Sequence, residues 1–187
     1  HLAHHDALTG LPNRALFNER LQHALERAAR RHGQVAAIFV DLDNFKHVND
    51  SLGHEYGDEL LVQVARLLAS VLRQEDTVAR IGGDEFTVLI EEFDVRTSLA
   101  SVIEKVIDAF DREFVLGAAQ VRVTPSIGVA VSPDDGKDAN TLMRNADAAM
   151  YRAKALGRNT YQFYTEDLTR QAFERMLVDS ALRNAIR

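Results

Sequence analysis

Arg80-Ile81-Gly82-Gly83-Asp84-Glu85-Phe86 sets a glycine pair between two short apolar runs and follows it at once with two carboxylates. The pattern predicts a β-hairpin, because the centre of a two-residue turn needs positive φ, which glycine adopts without steric cost. Its arms read as Thr77 to Ile81 and Glu85 to Ile90, with Phe86, Val88 and Ile90 alternating onto one face. Bare glycine backbone also lets a phosphate approach main-chain N–H groups, while Asp84 and Glu85 put negative charge beside it. An anion next to carboxylates implies a cation between them. Taken alone, Gly-Gly-Asp more often marks an exposed tip with solvated acids, so a partner motif has to decide.

Working upstream, Val35-Ala36-Ala37-Ile38-Phe39-Val40 is a continuous apolar run, the pattern of a central strand buried on both faces. It runs straight into Asp41-Leu42-Asp43-Asn44-Phe45-Lys46-His47-Val48-Asn49-Asp50, a stretch dense with oxygen ligands. An acid at the end of a buried strand caps a helix, pairs with a cation or binds a metal, because an unpaired buried carboxylate is unfavourable. Helix capping by Asp43 is the plain alternative. Ser51 to Asp58 reads as a tight connection, and Leu60, Leu61, Val64, Leu67, Leu68 and Val71 carry a helix to about Arg73. Nearer the N-terminus, Asp6 to Arg14 is turn chemistry, followed by a helix to about His32 that Gly33 stops. The cluster His1, His4 and His5 reads as a frayed, solvated terminus rather than a metal site.

Downstream of the hairpin the pattern predicts a helix over 97–110, a second hairpin from 114–116 and 120–123, and a strand over 126–131. Pro133-Asp134-Asp135-Gly136 is a loop, a helix covers 140–156 with Gly157 ending it, and 161–163 forms an edge strand. This alternation predicts an α/β (α+β) class around one mixed sheet. Glu166 to Arg187 repeats apolar residues at helical spacing beyond the last strand, the pattern of a helix that docks on the domain or leads to a missing downstream domain.

With 187 residues, 46% of them hydrophobic and 27% charged, the chain has enough apolar material for one substantial core. A net charge of −6 argues against a broad nucleic-acid surface, which needs clustered Lys and Arg. The absence of cysteine removes disulfides, thiolate zinc sites and cysteine nucleophiles and fits a reducing compartment, so cytoplasm is the expected location. No apolar run approaches the ~20 residues of a membrane span. The start at His1 without a methionine reads as an excised fragment, whose parent protein is free to be membrane-anchored.

A strand-end acid (Asp41), a hairpin acid (Asp84) with bare glycines, and the basic Lys154 and Arg158 together describe metal-assisted phosphoryl chemistry. Mg²⁺ is commonly held by one or two carboxylates plus substrate phosphates, and Lys and Arg hold polyphosphates. More than forty residues separate the two acids, so spacing alone does not bring them together. The motifs DALTGLPNR (6–14), DLDNFKHVNDSLGHEYGD (41–58), RIGGDEF (80–86), SIGVA (126–130) and ADAAMYRAKALGRN (146–159) nevertheless stand in the order of a known family. The chain closely resembles the GGDEF family of diguanylate cyclases over about Asp6 to Tyr164.

The resemblance implies a palm-like mixed sheet flanked by helices, similar to nucleotidyl cyclases, over 1–164, with 165–187 as a connecting helix. It implies condensation of two GTP into cyclic di-GMP with release of pyrophosphate. Asp41, the carbonyl of Leu42 and Asp84 then resemble the ligands of Mg²⁺ (or Mn²⁺), with Asp84 also the general base. Asn49 and Asp58 resemble the guanine-reading pair, with His54 nearby, and Lys46 a cation for the transition state. Lys154 and Arg158 resemble the clamp on the terminal phosphates, and Gly82 and Gly83 the phosphate-facing turn. Asp58 suits the N1–H and N2 donors of guanine, a face that adenine lacks. Each domain would hold one nucleotide, so a homodimer is implied. Arg73 and Asp76, five residues ahead of the glycine pair, resemble the family's product-inhibition site; alone they read as a solvated ion pair. The tail resembles the helix that precedes EAL phosphodiesterase domains, which implies flanking sensory and EAL domains. It leaves a second reading, a catalytically silent GTP-binding regulator of such a neighbour.

Overall fold

The computed structural model describes residues 4–91, 93 and 96–165. In chain order the elements are α1 (Arg14–Arg31), β1 (Val35–Leu42), α2 (Phe45–Leu52), α3 (His54–Val71), β2 (Thr77–Gly82) and β3 (Glu85–Glu91). They continue with α4 (Arg96–Ala109), β4 (Phe114–Leu116), β5 (Ala119–Val121), β6 (Pro125–Ser132), α5 (Ala139–Ala155) and β7 (Thr160–Phe163).

The main sheet has the order β2-β3-β1-β6-β7, antiparallel throughout except for the parallel β6 and β7. β1 is the central strand that its unbroken apolar run predicts, and all of its residues are buried. Period-two alternation splits its side chains between two layers. Ala36, Ile38, Val40 and Leu42 pack with Leu60, Val64 and Leu68 of α3 and with Leu99 and Ile103 of α4. Val35, Ala37 and Phe39 pack on the other face with Phe17 and Leu21 of α1 and with Leu142, Ala146 and Met150 of α5. Asp41 continues this second set and therefore points to the side that α5 covers.

Three local features depart from the expectations above. Residues 51–58 are not all connection, tight as the junction is: α2 runs to Leu52, α3 starts at His54, and Gly53 at φ 101° joins them. The buried stripe of α2 is only Phe45 and Val48, with Leu52 partly buried, too short for periodicity to stand out among its polar residues. Asp43 does not cap α2; Asn44, at φ 60°, holds that position without a side-chain cap bond. In the first hairpin Gly82 pairs with Glu85, so the tip is Gly83-Asp84 rather than Gly82-Gly83, with an irregularity between Arg80 and Gly82. Ile81 is the extra residue that moves the turn by one. Gly82 and Gly83 still take positive φ, 149° and 49°.

From His4 onward the N-terminal stretch is tied down rather than frayed. The Asn13 N–H donates to His4 O at 2.9 Å, and the Arg80 N–H donates to Pro12 O at 3.0 Å. The second hairpin, β6, α5 and the edge strand β7 fall where the sequence predicts them. The helix expected over 165–187 lies outside the described residues from 166 onward. Among the described residues no helix is long and apolar enough to cross a membrane.

Candidate active site

The site forms where β1 ends. Antiparallel register sets Asp41 opposite Glu85 on one side and Ser126 on the other. The Leu42 N–H donates to Asp84 O at 3.3 Å, which fixes the hairpin tip against the end of the central strand. Asp41 and Asp84, far apart in the chain, thus stand at one end of the sheet. The Nζ of Lys154, in the last turn of α5, lies 2.7 Å from Asp41 Oδ1. Burial pushes the Asp41 carboxyl above its ordinary value, Lys154 pulls it back, and the charges of Asp84 and Asp43 push it up again, for a net rise.

Lys154 is the cation that meets Asp41, and Asp84 and Asp43 add negative charge beside it. Two carboxylates and a main-chain carbonyl are hard oxygen donors, which fit Mg²⁺ or Mn²⁺. Among the described residues no group of three or more His, Cys, Asp or Glu is gathered as a metal cage. A cation held by Asp41, Asp84 and the Leu42 carbonyl would draw its remaining ligands from substrate phosphates and water, the usual Mg²⁺ arrangement.

Lys154 reaches Asp41 from a helix whose main chain lies directly over β6. A Cβ on Gly128 of β6 would fall on the main chain of α5 at Ala146 and Met150, so only glycine allows this approach. Gly82, Gly83 and Arg158 are exposed around the same end, open to a ligand. The hairpin tip has its own tether, which sequence reasoning missed. The Arg80 guanidinium donates to Gly83 O at 3.0 and 2.8 Å and to both carboxylate oxygens of Asp6 at 2.9 and 3.1 Å. Burial alone would raise the Asp6 carboxyl, but the Thr9 N–H and hydroxyl and the Arg80 guanidinium hold it below its ordinary value. The Asp-x-x-Thr spacing, which lets a carboxylate accept from the N–H and hydroxyl three residues on, was the available signal for half of this tether.

The guanine candidates gather at the junction of α2 and α3. Asn49 of α2 has its Oδ1 buried without a hydrogen-bond partner, facing Gly57 at the start of α3. A buried acceptor left open suits a ligand that brings N–H donors. Asp58 follows Gly57 directly and is exposed, as are His54 in the first turn of α3 and Lys46 in the first turn of α2.

Arg73 and Asp76 lie outside this site, in the turn between α3 and β2. The Asp76 carboxylate accepts the Arg73 N–H at 3.0 Å, the Asp76 N–H donates to Arg73 O at 3.1 Å, and the Arg73 side chain is exposed. Burial raises the Asp76 carboxyl above its ordinary value, against the lowering by the Arg73 N–H bond.

Acids at the end of a mixed sheet, a glycine-rich hairpin and a basic helix end define a palm-type nucleotidyl-transfer domain. The family model for the diguanylate cyclase GGDEF domain matches residues 3–160. The chain is 43% identical over 185 residues to MucR of Pseudomonas aeruginosa, a bifunctional diguanylate cyclase/cyclic di-GMP phosphodiesterase, covering 99% of the chain and 27% of MucR. It is 37% identical over 185 residues to PdeR of Escherichia coli, a cyclic di-GMP phosphodiesterase, covering 99% of the chain and 28% of PdeR. The solved GGDEF domain of TpbB from Pseudomonas aeruginosa superimposes with a TM-score of 0.88 at 37% identity, over 90% of this chain and 99% of that one. The chain belongs to the GGDEF family. It spans about a quarter of the length of MucR and PdeR.

Proposed function

We propose that the domain is a diguanylate cyclase that condenses two GTP into cyclic di-GMP. The observation that carries this reading is the meeting of Asp41, Asp84 and Lys154 at one sheet end, with Lys154 Nζ 2.7 Å from Asp41. Asn49 and Asp58 receive the donor edge of guanine, with His54 beside them, and Gly82 and Gly83 leave room for the phosphates. Lys154 and Arg158 hold the terminal phosphates. Mg²⁺ or Mn²⁺, held by Asp41, Asp84 and the Leu42 carbonyl, would supply acidity to the attacking hydroxyl and neutralise charge on the phosphoryl oxygens.

Asp84 takes the proton as the 3′-oxygen of one GTP bonds to the α-phosphorus of the other and the bond to pyrophosphate breaks. Lys46 offsets the charge that builds up on the phosphoryl group. A second identical step closes the ring. Each domain carries one nucleotide, so the catalytic unit is a homodimer, and the acidic surface has no role with nucleic acid. Within a longer parent chain the domain works in the cytoplasm beside sensory and EAL domains. Incubating the domain with GTP and Mg²⁺ produces cyclic di-GMP, and Asp41→Asn or Asp84→Asn lowers the rate by about 10²-fold or more with the fold kept. Full activity in either variant overturns the metal assignment.

A second reading has one observation in its favour, the similarity to PdeR, which is a phosphodiesterase by name. The domain would then bind GTP without turnover and regulate a neighbouring EAL phosphodiesterase. GTP binding without product formation, under conditions where the metal is saturating, selects that reading.

A further inference from the structure

Asp43 is an acid at this end of the sheet that the proposed chemistry does not use. Its side chain is only 2% exposed. Oδ2 accepts from the Thr124 hydroxyl at 2.6 Å and from the Asn159 N–H at 3.1 Å, and Oδ1 accepts from the Ser126 hydroxyl at 2.7 Å. The Arg158 Nε lies 3.8 Å from Oδ1. Asp43 thus joins the end of β1 to β6, to the approach to β6 and to the loop that leads α5 into β7.

That loop has an unfavourable backbone. Arg158 and Asn159 follow one another with φ of 65° and 47°, both in the left-handed region, which Asn tolerates but an arginine seldom enters. Such a pair persists only where surrounding bonds over-determine it. The Arg158 N–H is held by Ala153 O at 3.2 Å, and the Asn159 N–H is held by Asp43. Two of the Asp43 carboxylate's acceptor sites are filled by hydroxyls of β6 and its approach. The rest of its contacts go to this loop: it fixes the backbone just after the guanidinium and faces the guanidinium itself.

We infer that Asp43 is a positioning residue for Arg158, holding the strained loop so that the guanidinium meets the terminal phosphates of the nucleotide. The inference rests on the reading of Arg158 as a phosphate clamp. It predicts a separation that general destabilisation does not produce. Loss of Asp43's charge weakens contacts to the β- and γ-phosphates and leaves base recognition at α2 and α3 intact.

The test compares binding of 3′-deoxy-GTP and 3′-deoxy-GMP, which lack the attacking hydroxyl, by calorimetric titration with Mg²⁺ in the full domain. The starting domain prefers the triphosphate, and Arg158→Ala reduces that preference. Asp43→Asn keeps the side-chain size and narrows the preference by about tenfold, the scale of a charged hydrogen bond, with monophosphate binding unchanged. Added to Arg158→Ala, it changes the preference no further. Thr124→Val, which removes one donor that orients the carboxylate, narrows it in the same direction by less, and carries the test if Asp43→Asn does not fold. An intact preference in the folded Asp43→Asn or, failing that, in Thr124→Val overturns the inference, as does an equal loss of both nucleotides. If instead Arg158→Ala leaves the starting preference unchanged, the clamp reading itself fails and takes the inference with it.

Discussion

At the scale of single residues, Gly57 tests the proposed guanine pocket in a way that separates binding from stability. It sits inside a helix, where replacing glycine by alanine ordinarily stabilises by about 0.5–1 kcal/mol. A Cβ there would fall on Asn49 Oδ1 and come within 2.9 Å of Asn49 Cγ and 3.2 Å of Phe45 Cζ. The Asn49 amide must therefore swing away from the place where its open acceptor now lies. Gly57→Ala is expected to weaken GTP by about tenfold and to narrow its advantage over ATP, while the melting temperature stays level or rises. Unchanged nucleotide discrimination by titration would remove Asn49 from the pocket. The chemistry of the site residues was legible in the sequence because acids, glycines and bases stood in recognisable spacing. Their company was not. That Lys154 would sit on Asp41, or that Asp43 would bond an N–H 116 positions away in the chain, depends on strand register and on how closely a helix lies over the sheet.

At the scale of elements, β1 was legible because a strand buried on both faces has no polar side to break its run, and α2 was not because two buried positions make no period. The exact tip of the hairpin was hidden by the extra residue, Ile81, which pattern alone does not reveal. Two predictions belong here. Gly128→Ala sets a methyl against main-chain atoms of Ala146 and Met150, which have no rotamer to yield, so α5 must lift. The expected cost is about 1–3 kcal/mol, read by denaturant unfolding, and a lifted α5 also carries Lys154 away from Asp41. A neutral effect on stability would mean that α5 is free to shift.

The second concerns the tether of the hairpin. The folded Asp6 carboxyl titrates below its ordinary value of 3.8, so its stabilisation is complete above that value and is lost as pH falls through the lowered one. Asp6→Asn should cost about 1 kcal/mol or less near neutral pH, since the pair with Arg80 is partly exposed. The difference from the starting domain should vanish at the acid end, once Asp6 itself is protonated. A gap that persists there would show that packing, not charge, is what Asp6 contributes.

At the scale of the whole molecule, the proposed inhibitory role of Arg73 and Asp76 rests on where their turn lies. Arg73 and Asp76 lie directly ahead of β2, the arm that leads to the Gly82-Gly83 hairpin. The Asp76 carboxylate accepts the Arg73 N–H, and the Arg73 side chain is exposed. An exposed planar fork suits a phosphate or the O6/N7 edge of guanine, both of which cyclic di-GMP presents. Product held there would bridge two domains or stiffen β2, and either keeps the GTP sites from meeting. Arg73→Ala removes the fork but not the backbone bonds of the turn, so initial rates should be unchanged while product rises to a plateau several-fold higher. Progress curves followed by chromatography with GTP in excess decide this, and identical plateaus for the variant and the starting domain would sink the inhibitory role. A lower initial rate in the variant would place Arg73 in catalysis or in the fold instead, because a site that acts only through accumulated product has no influence before product exists.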